Sequence, residues 1–126
     1  MREDLSPLVP LSPAILHILT ALAGEERHGY GIMQEVARQS EGQYKLGPGT
    51  LYDNLQKLLE HAVVEECSRR SAADNPRRSA GDDPRRRYYR LTAFGRRVLL
   101  AEVARLEGVV RHARLRLQTN NPRRAS

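Results

Sequence analysis

Near the C-terminus, six apolar side chains recur at a spacing that limits what the chain can become. Leu99, Val103, Leu106, Val110, Ala113 and Leu117 step by 4, 3, 4, 3 and 4 residues. That is the repeat of a helix that packs along another helix. Thr92 is suited to cap such a helix, which would run to about residue 118 and measure roughly 40 Å at 1.5 Å per residue. Phe94, Val98 and Val109 widen its apolar stripe. The whole chain has 126 residues, so one domain is expected. Its core is too small to cover a stripe of that length. A second copy of the chain, in either orientation, is the expected cover.

A second constraint lies at the centre, in Gly47-Pro48-Gly49-Thr50-Leu51-Tyr52-Asp53-Asn54-Leu55-Gln56-Lys57-Leu58-Leu59. Its start reads as a turn, with the glycines free to take backbone angles that other residues avoid and Pro48 fixed. Leu51, Leu55 and Leu58, with Leu59 beside them, then recur at helical spacing. Thr50, Asp53, Gln56 and Lys57 fall on the opposite face, with Tyr52 and Asn54 on its flanks. An ordinary amphipathic surface helix has this pattern. So does a helix that docks on a core and presents hydrogen-bonding groups to base edges. The neighbouring segments decide between them.

Residues 1–11 hold Pro7 and Pro10 and read as an irregular arm. Ser12 and Pro13 make a good N-cap and first helical residue. Ile15, Leu16, Ile18, Leu19 and Leu22 then make a central helix, to about residue 23. Residues 25–29 are expected to form a loop. A second helix is expected over about 30–40, with Ile32, Met33, Val36 and Ala37 inward. The central stretch is the third helix and ends near residue 61. Residues 62–67 and 87–91 read as two antiparallel strands. The chain thus divides into an arm (1–11), a DNA-binding module (12–91), a dimerisation helix (92–118) and a flexible basic tail (119–126). The fold expected is mainly α with a small β-hairpin: a winged helix-turn-helix followed by a long C-terminal helix.

The loop between the strands, 68–87, holds most of the charge. The formal net charge is +6, and the stretch from Arg69 to Arg90 alone contributes +5. Within it, 71–78 is repeated as 79–86 with six of eight residues identical, which reads as a duplication that lengthens the tip of a wing. Such a composition cannot bury a core. It favours an anionic partner, nucleic acid ahead of membrane. Arg69, Arg70, Arg77, Arg78, Arg85, Arg86 and Arg87 are expected to follow a phosphate backbone or enter a minor groove.

Other classes find little support. The single cysteine, Cys67, excludes an internal disulfide and fits a reducing compartment. No charged-then-apolar leader and no apolar run near the roughly 20 residues of a membrane helix is visible. The chain is therefore expected to be soluble and cytoplasmic. His17, His28, His61 and His112 lie on separate elements without metal-ligand spacing, and no nucleophile–base pair or phosphate loop appears. No enzyme, metal or cofactor is expected. Cys67 beside Arg69 and Arg70 is a weak candidate for redox sensing, since a lone strand cysteine is usually inert.

Four stretches, in order, resemble the PadR family of bacterial transcription regulators. They are the apolar helix Ala14-Ile15-Leu16-His17-Ile18-Leu19-Thr20-Ala21-Leu22, the segment His28-Gly29-Tyr30-Gly31-Ile32, the segment Leu46-Gly47-Pro48-Gly49-Thr50-Leu51-Tyr52, and Arg87-Tyr88-Tyr89-Arg90-Leu91-Thr92-Ala93-Phe94-Gly95. They are similar to the family's H-G-Y-x-I, P-G-T-L-Y and Y-x-L-T-x-x-G patterns, and the remaining helix suits its short subclass. Three features depart from the pattern. Ala62 stands where the family usually has Gly, the wing is longer, and the absence of Trp removes the aromatic sandwich that some relatives use for flat drugs.

The resemblance implies repression by binding an operator in double-stranded DNA as a homodimer. The residues assign the parts. Gln56 would pair an adenine edge and Lys57 a guanine or a phosphate. Thr50 and Asp53 share that face, and Asp53 would accept from a cytosine amino group or orient Lys57. Tyr52 would donate to a phosphate while its ring packs on the wing. Pro48 and Gly49 open a helix N-terminus whose N–H groups suit phosphate. Two other readings stand beside this one. In the first, the module binds an acidic protein. In the second, the repressor releases DNA when a small apolar effector binds at the dimer interface, between the last helices and helix 1.

Overall fold

The computed structural model describes residues 9–67 and 87–119. The expectations for the first eight residues of the arm, for the wing tip at 68–86 and for the tail from 120 onward lie outside the described residues. The elements are α1 (Pro13–Leu22), β1 (Arg27–His28), α2 (Gly29–Gln39), α3 (Pro48–Glu60), β2 (Val64–Cys67), β3 (Tyr88–Leu91) and α4 (Ala93–Thr119).

Helix α1 is central for the reason its sequence gives. The Ser12 hydroxyl accepts from the Ile15 N–H at 3.2 Å and Pro13 fills the first turn. Ile18, Leu19 and Leu22 then meet Ile32 and Val36 of α2, Leu51, Leu55 and Leu58 of α3, and Val98 of α4 in one buried cluster. The leucine edge of α3 is thus fixed inward and its polar edge outward.

The sheet has three antiparallel strands in the order β1-β3-β2, where the sequence suggested two. Residues 25–29 are therefore not all loop: Arg27 pairs with Tyr89 and His28 with Tyr88. A two-residue strand without apolar alternation leaves no periodic signal, because its place is set by the strand it pairs with. Both residues also tie elements together. The Arg27 Nε donates to the Ala21 carbonyl at 2.8 Å, and its guanidinium stands 3.7 Å from Glu35 of α2. The His28 Nδ1 accepts from the Gly31 N–H at 3.0 Å and so caps α2, while the ring meets Tyr88 edge-on.

One junction joins α3, the sheet and α4. After α3 the chain turns through Ala62 at φ +59°, in the left-handed region that favours glycine. The Thr92 hydroxyl lies 2.6 Å from the Ala62 carbonyl and 3.1 Å from that of Val63, and it accepts from the Gly95 N–H at 2.8 Å. Thr92 therefore caps α4, as its type suggests, and fastens the helix to β2. At Gly95 the helix comes so close that a Cβ would lie 1.9 Å from the Val63 carbonyl oxygen.

Helix α4 packs on the core through Phe94, Val98 and Leu99 and then leaves it. Glu102 marks the departure. It is 1% exposed, receives two hydrogen bonds from Arg105 at 2.8 Å, and accepts from the Leu11 N–H at 3.2 Å. Residues 109–118 are all exposed.

Ala62→Gly is expected to stabilise the fold by about 1 kcal/mol, since it relieves a left-handed Ala. Gly95→Ala is expected to destabilise it by about 2–3 kcal/mol, because backbone must shift to admit the methyl group. Urea unfolding of the two variants checks both signs. The Glu102 carboxyl is held below its ordinary range by the Arg105 hydrogen bonds, against the opposing effect of burial and with help from the Leu11 N–H. Its folded-state pKa is depressed, so its contribution is full above the ordinary carboxylate range and is lost as pH falls through the folded value. Glu102→Ala is expected to cost about 1–2 kcal/mol at neutral pH, because exposed Arg105 regains water. The same change should flatten the acid side of the stability–pH curve, which unfolding at a series of pH values measures.

Candidate nucleic-acid interface

Helix α3 stands on three buried leucines. Thr50, Tyr52, Asp53, Gln56 and Lys57, together with Pro48 and Gly49 at its start, are exposed. The structure thus brings all the sequence-selected residues of this helix to one surface. Their local bonds are few. The Thr50 carbonyl accepts from the Asn54 side chain at 2.8 Å, and the Gln56 amide lies 3.4 Å from Glu60. No ion pair joins Asp53 to Lys57, so Asp53 does not orient that lysine here.

Two details differ from the sequence reading. Gly47 has φ −82°, an ordinary value, and a Cβ at Gly47 or Gly49 would meet nothing within 4 Å. The turn before α3 therefore does not use the glycines' special angles; it leaves bare backbone facing open space. Tyr52 reaches the start of α2. Its hydroxyl oxygen lies where a Cβ on Gly29 would sit, 2.1 Å away. The H-G-Y and T-L-Y segments thus meet in space, and Gly29 is glycine because Tyr52 occupies its side-chain volume. The same tyrosine stands near Tyr89, whose phenol is pushed up chiefly by burial, then by Glu66 and by Tyr52. Tyr30, which the sequence did not single out, is 63% exposed in the first turn of α2.

Of the loop arginines, Arg87 alone lies within the described residues. It is exposed and paired with Glu66 at 3.0 Å. Arg90 pairs with Glu65 at 2.7 Å on the same strand ladder. Arg69, Arg70, Arg77, Arg78, Arg85 and Arg86 lie outside the described residues. Cys67 lies 3.5 Å from the Glu26 carboxylate. Burial first, and then the Glu26 charge, push its thiol up to about 11. A thiol so placed is protonated at neutral pH, which opposes redox sensing. His17 stacks on Tyr44 at 4.5 Å and His28 is a helix cap. Among the described residues no group of His, Cys, Asp and Glu is placed to hold a metal ion, and no helix is long and apolar enough to cross a membrane.

The C-terminal seam is divided. Leu99 packs on the core and Leu106 is half-buried, while Val103, Val110, Ala113 and Leu117 are exposed, Leu117 to 70%. An open apolar groove runs along this half of α4 beside Val103, Leu106, Val110 and Leu115. A smaller cavity of about 190 Å³ lies between Leu11, Ile15 and Leu19 on one side and Val98 on the other, with Lys57 and His61 of the α3 end in its wall.

Comparison with known proteins decides the family. Residues 15–101 match the transcriptional regulator PadR-like family. The chain is 33% identical over 96 residues to the transcriptional regulator Rv3488 of Mycobacterium tuberculosis, covering 76% of this chain and 78% of that protein. The chain belongs to the PadR-like family of transcriptional regulators. Solved structures share the fold of this PadR-like chain. The hsRosR–S4 complex matches 97% of this chain and 98% of its own at TM-score 0.63 and 23% identity. RosR of H. salinarum matches 94% and 99% at 0.62 and 22%. A transcriptional regulator from Clostridium thermocellum matches 80% and 86% at 0.63 and 20%. The fold is a winged helix-turn-helix with a long C-terminal helix, and the family is one of DNA-binding regulators rather than enzymes.

Cys67 in the native PadR-like chain is expected to react with iodoacetamide at pH 7 at least about tenfold more slowly than in the unfolded chain, given its raised pKa. Timed alkylation followed by mass spectrometry checks this.

Proposed function

We propose that this PadR-like protein is a homodimeric repressor that binds a palindromic operator in double-stranded DNA. The observation that carries the reading is the division of α3. Leu51, Leu55 and Leu58 are buried to 5% exposure or less, while the whole polar edge faces outward. A helix held by one edge on a rigid core suits the major groove. In this reading residues 12–91 are the DNA-binding module and 92–118 the dimerisation helix. Gln56 pairs an adenine edge and Lys57 a guanine or a phosphate. Thr50 and Asp53 read adjacent positions. The bare turn at Gly47, Pro48 and Gly49 lets the duplex backbone come close to the first N–H groups of α3. Tyr52 donates to a phosphate from its place over Gly29. Arg87 and the arginines of 69–86 add affinity that carries little sequence information.

The exposed part of the seam supports pairing through α4. Two reading helices would then lie about one duplex turn, roughly 34 Å, apart. The 190 Å³ cavity favours a second, compatible reading. A small apolar effector seated between α1 and α4 would contact Lys57 from behind and draw it from the DNA.

Footprinting on an inverted repeat upstream of the protein's own gene, beside random duplex, tests the reading. Gln56→Ala and Lys57→Ala are each expected to weaken operator binding by about tenfold or more. Neutralising Arg77, Arg78, Arg85 and Arg86 is expected to weaken binding to both DNAs. It should also reduce the slope of log K against log salt by about 0.9 for each phosphate that is no longer neutralised. Equal affinity for operator and random duplex, with an unchanged slope, would overturn the proposal and favour the acidic-protein partner.

A further inference from the structure

We propose that the second copy of this chain lies antiparallel along the free half of α4, in the register that sets Glu107 of each copy against the partner's Arg114. The inference rests on the dimer reading above and adds its direction and alignment. Three observations carry it. The first is what the chain has already used. Leu99 packs on its own core, and Glu102 is buried against Arg105 and the Leu11 backbone. The seam open to another helix is therefore Val103, Leu106, Val110, Ala113 and Leu117.

The second is charge. Glu107 and Arg114 both border the apolar groove on this half of α4. Neither has an ion-pair partner among the described residues. Arg111, between them, is turned over Gly108, its guanidinium 3.8 Å from the place a Cβ would take there.

The third is heptad geometry. With Val103, Val110 and Leu117 at a and Leu106 and Ala113 at d, Glu107 and Arg114 both fall at e. Antiparallel helices set e against e, whereas parallel ones set e against g. An antiparallel pair centred between residues 111 and 112 packs Val110 on the partner's Ala113 and Leu106 on the partner's Leu117. The same alignment forms a Glu107–Arg114 pair on either side of the twofold axis. A shift of one heptad toward the core would set Glu107 against the partner's Glu107 and would draw Leu99 from its own core. A parallel pair sets Glu107 against the partner's Glu102 and Arg114 against the partner's Val109, so neither charge meets its opposite across the seam. Like charges so placed oppose association.

Sedimentation equilibrium of the full chain tests the register. Glu107→Arg alone and Arg114→Glu alone are each expected to raise the dimer Kd by about tenfold, since each turns two attractive pairs into repulsive ones. The double swap should return it to within about threefold of the wild type. In a Cys67→Ser background, mixed Val110→Cys and Ala113→Cys chains should form disulfides between 110 and 113 in preference to like with like. A wild-type chain that stays monomeric at micromolar concentration overturns the dimer reading and this register together. A wild-type dimer whose double swap is no tighter than the single swaps, or whose cysteines join like with like, overturns the register and leaves the dimer reading standing.

Discussion

The contact between Thr92, Gly95 and the Val63 carbonyl is what the rest of the molecule depends on. It is a small patch of backbone: one hydroxyl against two carbonyls, one capped N–H, and a helix packed where no Cβ fits. Through it the end of α3, strand β2 and the start of α4 become one body. The direction of α4 relative to α3 is thereby set by hydrogen bonds and steric exclusion, together with the core packing of Phe94, Val98 and Leu99. Side chains can repack around a missing methyl group, but a backbone oxygen 1.9 Å from a new carbon cannot be accommodated in place.

From that body two surfaces emerge with different chemistry. The polar edge of α3 is exposed because its leucine edge is the floor of the core. The seam of α4 is exposed because the core ends near Glu102. Charge follows the same division. Glu65 and Glu66 pair with Arg90 and Arg87 on the strands, so the stems of the wing are locally neutralised. The basic excess is left to the segment between them.

Much of this was legible in the sequence, and the exceptions have physical reasons. All four helices were: apolar periodicity marks each, Ser12 and Thr92 cap α1 and α4, and prolines open α1 and α3. Strand β1 was not, since two residues carry no period and owe their conformation to Tyr88 and Tyr89. Buried Glu102 was not, because a charged residue on an exposed helix reads as solvated. Its spacing to Arg105 was the available signal, but the Leu11 N–H that completes its bonding comes from 91 residues away. The outward face of α3 is legible from its periodicity, but the role of its glycines is not. Their backbone angles are ordinary and it is the open space around them that matters. The meeting of Gly29 with Tyr52 was also invisible, for it couples two segments whose contact exists only in the folded chain.

A helix held only along its first stretch, from the Gly95 crossing to Glu102, behaves as a lever. From Gly95 to Gln118 it is roughly 35 Å long at 1.5 Å per residue. A tilt of about 5° at the crossing therefore carries the far end through roughly 3 Å. Anything that grips the far end can turn the winged module by the same small angle. Rigidity of the stretch from Gly95 to Glu102 sets how faithfully a displacement at one end is felt at the other.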